Sequence, residues 1–354
     1  MKDNDEGQRL PLLSISPQLS RRILTALPTL FVIVTLTFVL LRAAPEGPFG
    51  REGEIPEAVR PNIEARYGLD RPVYEQYLRF CGNLLTGNLG PSFQQPDRSA
   101  FGVIVEGLGP SLILGLSALL IALILGLGAG TLAALRPRSA PVISTLALIA
   151  LAVPVFVLGP MLIRFIAISL GLFPAAFWGS ASHLVLPALT LGIQVGGALT
   201  RFWRVVLAES MELPDCVAAR SRGLGQWQLF RHHAAQRSLP LLLNYVGPML
   251  AALVTGSVVV EQIFSIPGMG RSLLESALVG DYPVLIGATL IYLIVLLAIH
   301  TLIDLSYLRL DPRLRKEHTE WTQADRELRQ KRRAAARAAK EARKAEKEAR
   351  KAEA

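Results

Sequence analysis

The chain has 354 residues, 51% of them hydrophobic and only 18% charged, with mean hydropathy +0.39 and formal net charge +9. Soluble domains carry about 25% charged residues, and the charge here is crowded into residues 316–354, which hold 13 Lys/Arg and 8 Asp/Glu. That composition excludes a disordered or collagenous chain and, with Cys81 and Cys216 as the only cysteines, a disulfide scaffold; it points to an integral membrane protein.

Residues 1–20 are polar and precede Arg21 and Arg22, and no small-residue cleavage site follows the first apolar run. That run, 23–41, is therefore expected to stay as a span within a segment 21–44. A bilayer core needs about 20 apolar helical residues, and uncharged stretches of that order recur at 107–135, 139–163, 184–200, 238–260 and 283–303. A β-barrel would alternate over ten-residue segments instead, so six helices are predicted. Pro28, Pro154, Pro160, Pro187 and Pro248 fall inside spans, where neighbouring helices can satisfy the carbonyls that proline frees. Gly126 and Gly130, and Gly192 and Gly196, put small residues at helical spacing, which favours close helix contact.

Orientation follows from Lys and Arg in the short loops. Arg136 and Arg138, then Arg201, Arg204, Arg220, Arg222, Arg231 and Arg237, then Arg309, Arg313, Arg315 and Lys316 all fall on one side if six helices alternate. Residues 170–183 carry no Lys or Arg. Both termini are therefore expected in the cytoplasm, which places Cys81 and Cys216 on opposite sides of the bilayer as free thiols.

Three polar parts remain. The outer segment 45–106 has 9 acidic and 6 basic residues and reads as a capping excursion with a short helix at 56–67, a docking surface or a plug. The inner loop 201–237 contains Leu213-Pro214-Asp215-Cys216-Val217-Ala218-Ala219-Arg220, a short helix with proline in its first turn and Gly223 past its end. A second stretch, 227–235, leads back toward Pro240. Within the charged tail 316–354, residues 326–354 are built from strong helix formers without an apolar seam, so an isolated charged helix or a fluctuating tail is expected rather than a coiled coil, with attraction to anionic lipid or RNA as the unspecific alternative.

No catalytic constellation is present. The sequence has no H-E-x-x-H, C-x-x-C or G-x-S-x-G, and no lysine follows a glycine, so the chain supplies no Walker A loop. His183, His232, His233, His300 and His318 are not clustered as metal ligands. An ion-coupled carrier would bury ionisable groups; only Arg164 and Asp304 qualify, both near span ends where a long side chain reaches the interface. Energy coupling through this chain's own charges is therefore expected to be weak, with the work supplied by something else.

The sequence resembles the first integral-membrane subunit of binding-protein-dependent ABC importers for peptides. The resemblance runs over residues 20–315. It rests on Val217-Ala218-Ala219-Arg220-Ser221-Arg222-Gly223-Leu224 followed by Leu239-Pro240, on Arg42-Ala43-Ala44-Pro45-Glu46-Gly47-Pro48-Phe49, and on Tyr67-Gly68-Leu69-Asp70-Arg71-Pro72. It rests further on Gly87-Asn88-Leu89-Gly90-Pro91-Ser92, on Asp281-Tyr282-Pro283 and on Leu310-Asp311-Pro312-Arg313. The most specific run is Thr255-Gly256-Ser257-Val258-Val259-Val260-Glu261-Gln262-Ile263-Phe264-Ser265-Ile266-Pro267-Gly268-Met269-Gly270-Arg271. Val217 departs from the family, where an acidic residue or arginine is common.

The resemblance implies an all-α integral membrane fold of the type I ABC-importer class, with six transmembrane helices, a core 107–315 and an extracytoplasmic segment between helices 1 and 2. It implies a multi-pass chain in the inner membrane that is not itself an enzyme. The implied partners are a second homologous permease subunit, two cytoplasmic ATPase subunits that carry ATP and Mg, an extracytoplasmic peptide-binding protein, and membrane lipid, with no nucleic acid and no cofactor on this chain. Asp215, Val217, Ala218, Ala219, Arg220, Gly223, Leu224 and Pro240 would couple to an ATPase. Arg164, Thr255, Glu261, Pro267, Gly268 and Gly270 are the candidate pathway or gate residues. Nickel, glutathione and antimicrobial-peptide importers share much of this pattern. A secondary carrier is the rival of another class, and it would need inverted repeats and midplane ion sites.

Overall fold

The computed structural model describes residues 16–43, 70–255 and 257–310. The helix expected at 56–67, the exit from the first span at Pro45, the Leu310-Asp311-Pro312-Arg313 run beyond Leu310, and the tail 316–354 lie outside the described residues. So do the side chain of Asp304 and the whole of Gly256.

Among the described residues the protein is helical, and the only extended pairing is an isolated bridge between Pro91 and Ser99. In chain order the helices are α1 (Ser16–Ala43), α2 (Val73–Leu85), α3 (Ala100–Leu135), α4 (Ala140–Ala152), α5 (Val155–Leu162), α6 (Ala181–Met211), α7 (Pro214–Ser221), α8 (Gln226–Leu229), α9 (Ala235–Thr255), α10 (Val258–Ile263), α11 (Met269–Val279) and α12 (Tyr282–Leu310). Wider π-helical turns follow α5, over Ile163–Ser169, and α8, over Phe230–Ala234.

Among the described residues four stretches are long and apolar enough to cross a membrane: Ala100–Leu135, Ala181–Met211, Gln226–Ile263 and Tyr282–Ile303. The uncharged stretch 139–163 is not one straight helix. α4 ends at Ala152, and Val153 adopts φ −73°, ψ 117°, because the ring of Pro154 drives the residue before it out of the helical region. α5 then departs at 100° to α4. The carbonyl exposed at this break, that of Val153, accepts a hydrogen bond from Gln194 Nε2 of α6 at 3.3 Å.

The centre of the bundle is α3 against α6, and small residues let their backbones approach. A Cβ on Gly126 would lie 2.7 Å from Leu199, and one on Gly192 would lie 2.6 Å from Ile121. Any larger residue at either position separates the two helices, which is the close packing that the glycine spacing predicts. Leu114, Ala118, Leu186, Ala188, Val260, Phe264 and Ile266 fill one buried cluster. Leu199, Trp203, Leu207 and Met211 continue it toward the α6–α7 end, where Trp203 Nε1 donates to Thr131 Oγ1 at 2.9 Å. α6 runs on to Met211, so Arg201 and Arg204 belong to this helix rather than to a loop. Arg204 reaches across to Ser144 Oγ of α4 at 2.6 Å.

At the opposite end Val34 and Phe38 of α1 pack with Ile286 of α12 and with Tyr77 and Phe80 of α2. Asp281 fastens this end. Its carboxylate, 3% exposed, accepts the hydroxyl of Ser92 and the N–H groups of Phe93 (3.1 Å) and Gln94 (3.4 Å). The Gly90-Pro91-Ser92 and Asp281-Tyr282-Pro283 runs, 189 positions apart, are thus two halves of one junction.

Candidate functional site

Two constellations stand at opposite ends of the bundle. The first is built on α7. Leu213 is extended (φ −64°, ψ 149°) and Pro214 opens the helix, where its missing N–H is no loss. Asp215 in the first turn and Arg220 in the last complement the helix dipole. Gly223 closes it with φ +89°. The Gly223 N–H bonds Arg220 O at 2.9 Å and the Leu224 N–H bonds Ala219 O at 3.3 Å, a Schellman closure that needs a left-handed residue.

Cys216 and Ala219, three apart, are fully buried, and Ala219 joins Leu207, Met211, Leu229 and Ala234 in one cluster. Val217, Ala218, Arg220, Ser221 and Arg222 face outward, with Val217 50% exposed. Asp215 Oδ2 is 2.8 Å from the Arg237 guanidinium of α9. Burial, and then the neighbouring Asp215 carboxylate, push the Cys216 thiol above its ordinary pKa, so it stays protonated near neutral pH. Leu224 is half-buried against the same cluster. Pro240 is half-buried inside α9, three residues past Arg237. Trp227, 61% exposed and packed on Phe230, extends the outward apolar face in a way the sequence motif does not signal.

The second constellation surrounds Glu261, which is fully buried. Its Oε1 accepts the hydroxyls of Ser111 of α3 (2.8 Å) and Ser257 (2.5 Å), and its Oε2 accepts the N–H of Arg271 at the start of α11 (2.9 Å). Ser111 Oγ in turn accepts the Met269 N–H at 2.9 Å. A carboxylate is well placed before a helix N-terminus, whose free N–H groups and dipole favour negative charge. One side chain therefore ties α3, α10 and α11 together.

Gly268 and Gly270 make that approach possible. A Cβ on Gly268 would overlap the Glu261 carboxyl group, and one on Gly270 would lie 2.7 Å from Val258 and 2.8 Å from the Tyr292 hydroxyl. Pro267 and Arg271 line a cleft of about 790 Å³ above this cluster, whose rim carries the ion pairs Arg98–Glu106 and Arg271–Glu275. Among the described residues Thr255 Oγ1 bonds only back to Ala251 O of its own helix, at 2.9 Å. Arg164 is exposed on the π-helical turn after α5, and its guanidinium makes no ion pair among the described residues. Thr255, half-buried, and Arg164 are thus outside the Glu261 cluster. Ser111 is a candidate that the motif reading passed over, and Asp281 was quoted within a run but given no role. A lone serine after Pro110 in an apolar run, and an aspartate beside the last span, were the available signals.

No group of three His, Cys, Asp or Glu side chains is arranged to hold a metal among the described residues.

Residues 122–316 match the family described as binding-protein-dependent transport system inner membrane component, and residues 17–106 match that family's N-terminal component. The chain is 37% identical over 289 residues to the dipeptide transport system permease protein DppB of Bacillus subtilis, covering 81% of this chain and 94% of that one. It is 35% identical over 299 residues to the oligopeptide transport system permease protein OppB of Haemophilus influenzae and 32% identical to that of Escherichia coli K12, in each case covering 83% of this chain and 98% of the relative. Among solved structures, inward-facing forms of the MetNI methionine ABC transporter share the fold. Their TM-scores are 0.51 and 0.52 at 19% identity, over 60% and 59% of this chain and 97% and 96% of theirs. With residues 17–106 and 122–316 both matched and the fold in agreement, this multi-pass membrane protein belongs to the family of inner membrane components of binding-protein-dependent transport systems.

Proposed function

We propose that this chain is one permease half of an ATP-driven importer of oligopeptides. It would pair with a second permease, stand on two ATPase subunits that bind ATP and Mg, and receive peptide from an extracytoplasmic binding protein. The observation that carries this reading is the build of α7. It is a short helix seated on buried Cys216 and Ala219, with Val217, Ala218 and Arg220 turned outward. A helix laid in a partner's groove is held by such outward anchors.

Movement of α7 would pass to the bundle by two routes. One is the two-residue link Glu212-Leu213 into α6; the other is the Asp215–Arg237 pair into α9. α6 carries the displacement to α3 and to the broken α4–α5 pair. α9 carries it toward α10, where Glu261 holds α3 and α11. ATP hydrolysis, in this reading, belongs to other chains and only its mechanical result reaches this one. Six spans, both termini in the cytoplasm and an outer segment 45–106 complete the proposal. The tail 316–354 has no part in the mechanism.

The reading is tested by purifying the tagged full-length chain from its native membrane in mild detergent and identifying what accompanies it. A second permease and ATPase chains in stoichiometric amounts are expected. Recovery of this chain alone, or only with copies of itself, would contradict the proposal and return attention to a carrier mechanism.

A further inference from the structure

The turn between α10 and α11 gathers three features that a settled structure avoids, and all three border the Glu261 cluster. Phe177 and Ser265 are the only non-glycine residues with positive φ among the described residues, at +75° and +53°. That conformation crowds the Cβ of any L-residue, and for one as bulky as Phe177 it is an outlier. The two positions are linked. The Phe177 N–H donates to the carbonyl of Phe264 at 2.7 Å, and Ser265 follows that carbonyl directly. One hydrogen bond thus joins two strained residues, one in the connection before α6 and one in the turn itself.

The third feature is Tyr292 of α12. Its side chain is 8% exposed, and its hydroxyl has no hydrogen-bond partner among the described residues. A buried hydroxyl left unpaired has given up water for nothing, so such groups are few and each has a reason. An acceptor stands close by. Glu261 Oε1 takes two hydroxyls, those of Ser111 and Ser257, whereas Oε2 takes only the Arg271 N–H. Each carboxylate oxygen has room for about two donors, so Oε2 can accept one more. A Cβ on Gly270 would lie 2.8 Å from the Tyr292 hydroxyl and 3.0 Å from Glu261 Oε2. The unpaired donor and the unfilled acceptor therefore flank one glycine without reaching each other.

Backbone strain persists only where the surroundings enforce it, and it gathers where a protein exchanges one arrangement for another. Here Phe264 and Ile266, on either side of Ser265, are buried in the bundle core and hold the strained turn in place. We infer that this turn and Tyr292 form a two-position latch. In the position seen here Phe264 O holds Phe177; in the other that bond opens, Phe177 and Ser265 relax, and the Tyr292 hydroxyl bonds Glu261 Oε2. The bonds of Ser111, Ser257 and Arg271 to Glu261 stay made in both, so α3, α10 and α11 move together against α12 and the connection before α6. One hydrogen bond is exchanged for another, which lets a modest push through α9 and α10 select the position. The latch rests on the ATP-driven import reading for that push and adds the residues in this chain that change partners.

The test uses the complex recovered through the tagged full-length chain and compares stability with turnover. Apparent Tm in detergent is measured beside ATP-driven uptake of a radiolabelled random tripeptide mixture in vesicles. Tyr292→Phe removes a hydroxyl that bonds nothing in the present position, so Tm should be unchanged or higher while uptake falls several-fold. Ser265→Gly and Phe177→Gly accept positive φ without a clash, and the Phe177 ring is 70% exposed, so little packing is lost. Both should favour the present position, again with Tm maintained and uptake reduced. In the native complex, hydrogen exchange at the Phe177 amide should differ several-fold between the nucleotide-free state and the state trapped with ATP and vanadate. If Tyr292→Phe imports at the native rate, or loses Tm and uptake together, or if exchange at Phe177 is the same in both states, the latch is overturned while the import reading stands. A native complex that moves none of the tripeptides overturns the import reading, and the latch with it.

Discussion

Gly223 has no atom within 4 Å of where a Cβ would stand, whereas a Cβ on Gly268 would overlap a buried carboxyl group. Both glycines belong to motifs of the same chain, and the contrast separates two kinds of construction. At the α7 end a glycine is needed for backbone conformation alone, around it the side chains point outward, and the polar link to the rest of the protein is a half-exposed ion pair. At the Glu261 end a glycine is needed for space, and every polar group of the carboxylate is matched inside the protein. In the proposed reading one end is gripped by an ATPase and the other holds itself together.

The largest expected effect comes from breaking the buried end. Glu261→Ala removes the acceptor for two hydroxyls and one N–H, and each buried group left unpaired costs about 1–3 kcal/mol. The variant should lose several degrees or more of apparent Tm in detergent, or fail to accumulate. Gly268→Ala acts in the same place by crowding, at about 1–3 kcal/mol; a small, graded loss in the same assay is expected. A Gly268→Ala protein as stable as the native one would show that the glycine is not there to admit Glu261.

Changes at the α7 end should leave the bundle nearly as stable. Asp215→Asn removes one exposed ion pair, and such pairs contribute less than about 1 kcal/mol. Its Tm should therefore be within a degree or two of native, and any effect on peptide uptake would report the link to α9. The smallest effect is expected from truncation after Arg315. Uptake should be unchanged, and its loss at normal protein level would assign the tail 316–354 a part in the mechanism.

Much of this contrast was legible in the sequence, and the exceptions have physical causes. The α7 end was read almost residue by residue, because proline at the start of a helix and glycine just past its end are local signals with local reasons. The four long apolar helices of the described residues were visible from apolar length. Breaks within an apolar stretch were not, because a proline in a membrane helix is compatible with a straight, kinked or broken helix, and the neighbours decide. Pro154 produces a 100° bend where Gln194 can take the carbonyl of Val153, while Pro187 lies within a continuous α6. The polar cluster was half legible. Glu261, Gly268 and Gly270 stood out as a motif, but their partner Ser111 is 150 positions away and only the fold brings it near. Asp281 was part of a recognised run with no role, since its partners at 92–94 are joined to it by tertiary structure alone.

The account depends most on α7 transmitting force to the bundle while contributing little to the bundle's own stability. The most direct test is Gly223→Val, which places a β-branched residue at φ +89°, a conformation that costs an L-residue about 1–2 kcal/mol or more and distorts the end of α7 without a clash. Apparent Tm, recovery of the ATPase chains and peptide uptake should be measured on the same preparation. The account predicts a protein of near-native Tm that has lost most of its uptake and retains its ATPase partners weakly or not at all. A variant that imports peptide at the native rate with its partners bound would contradict the assignment of α7 as the coupling element.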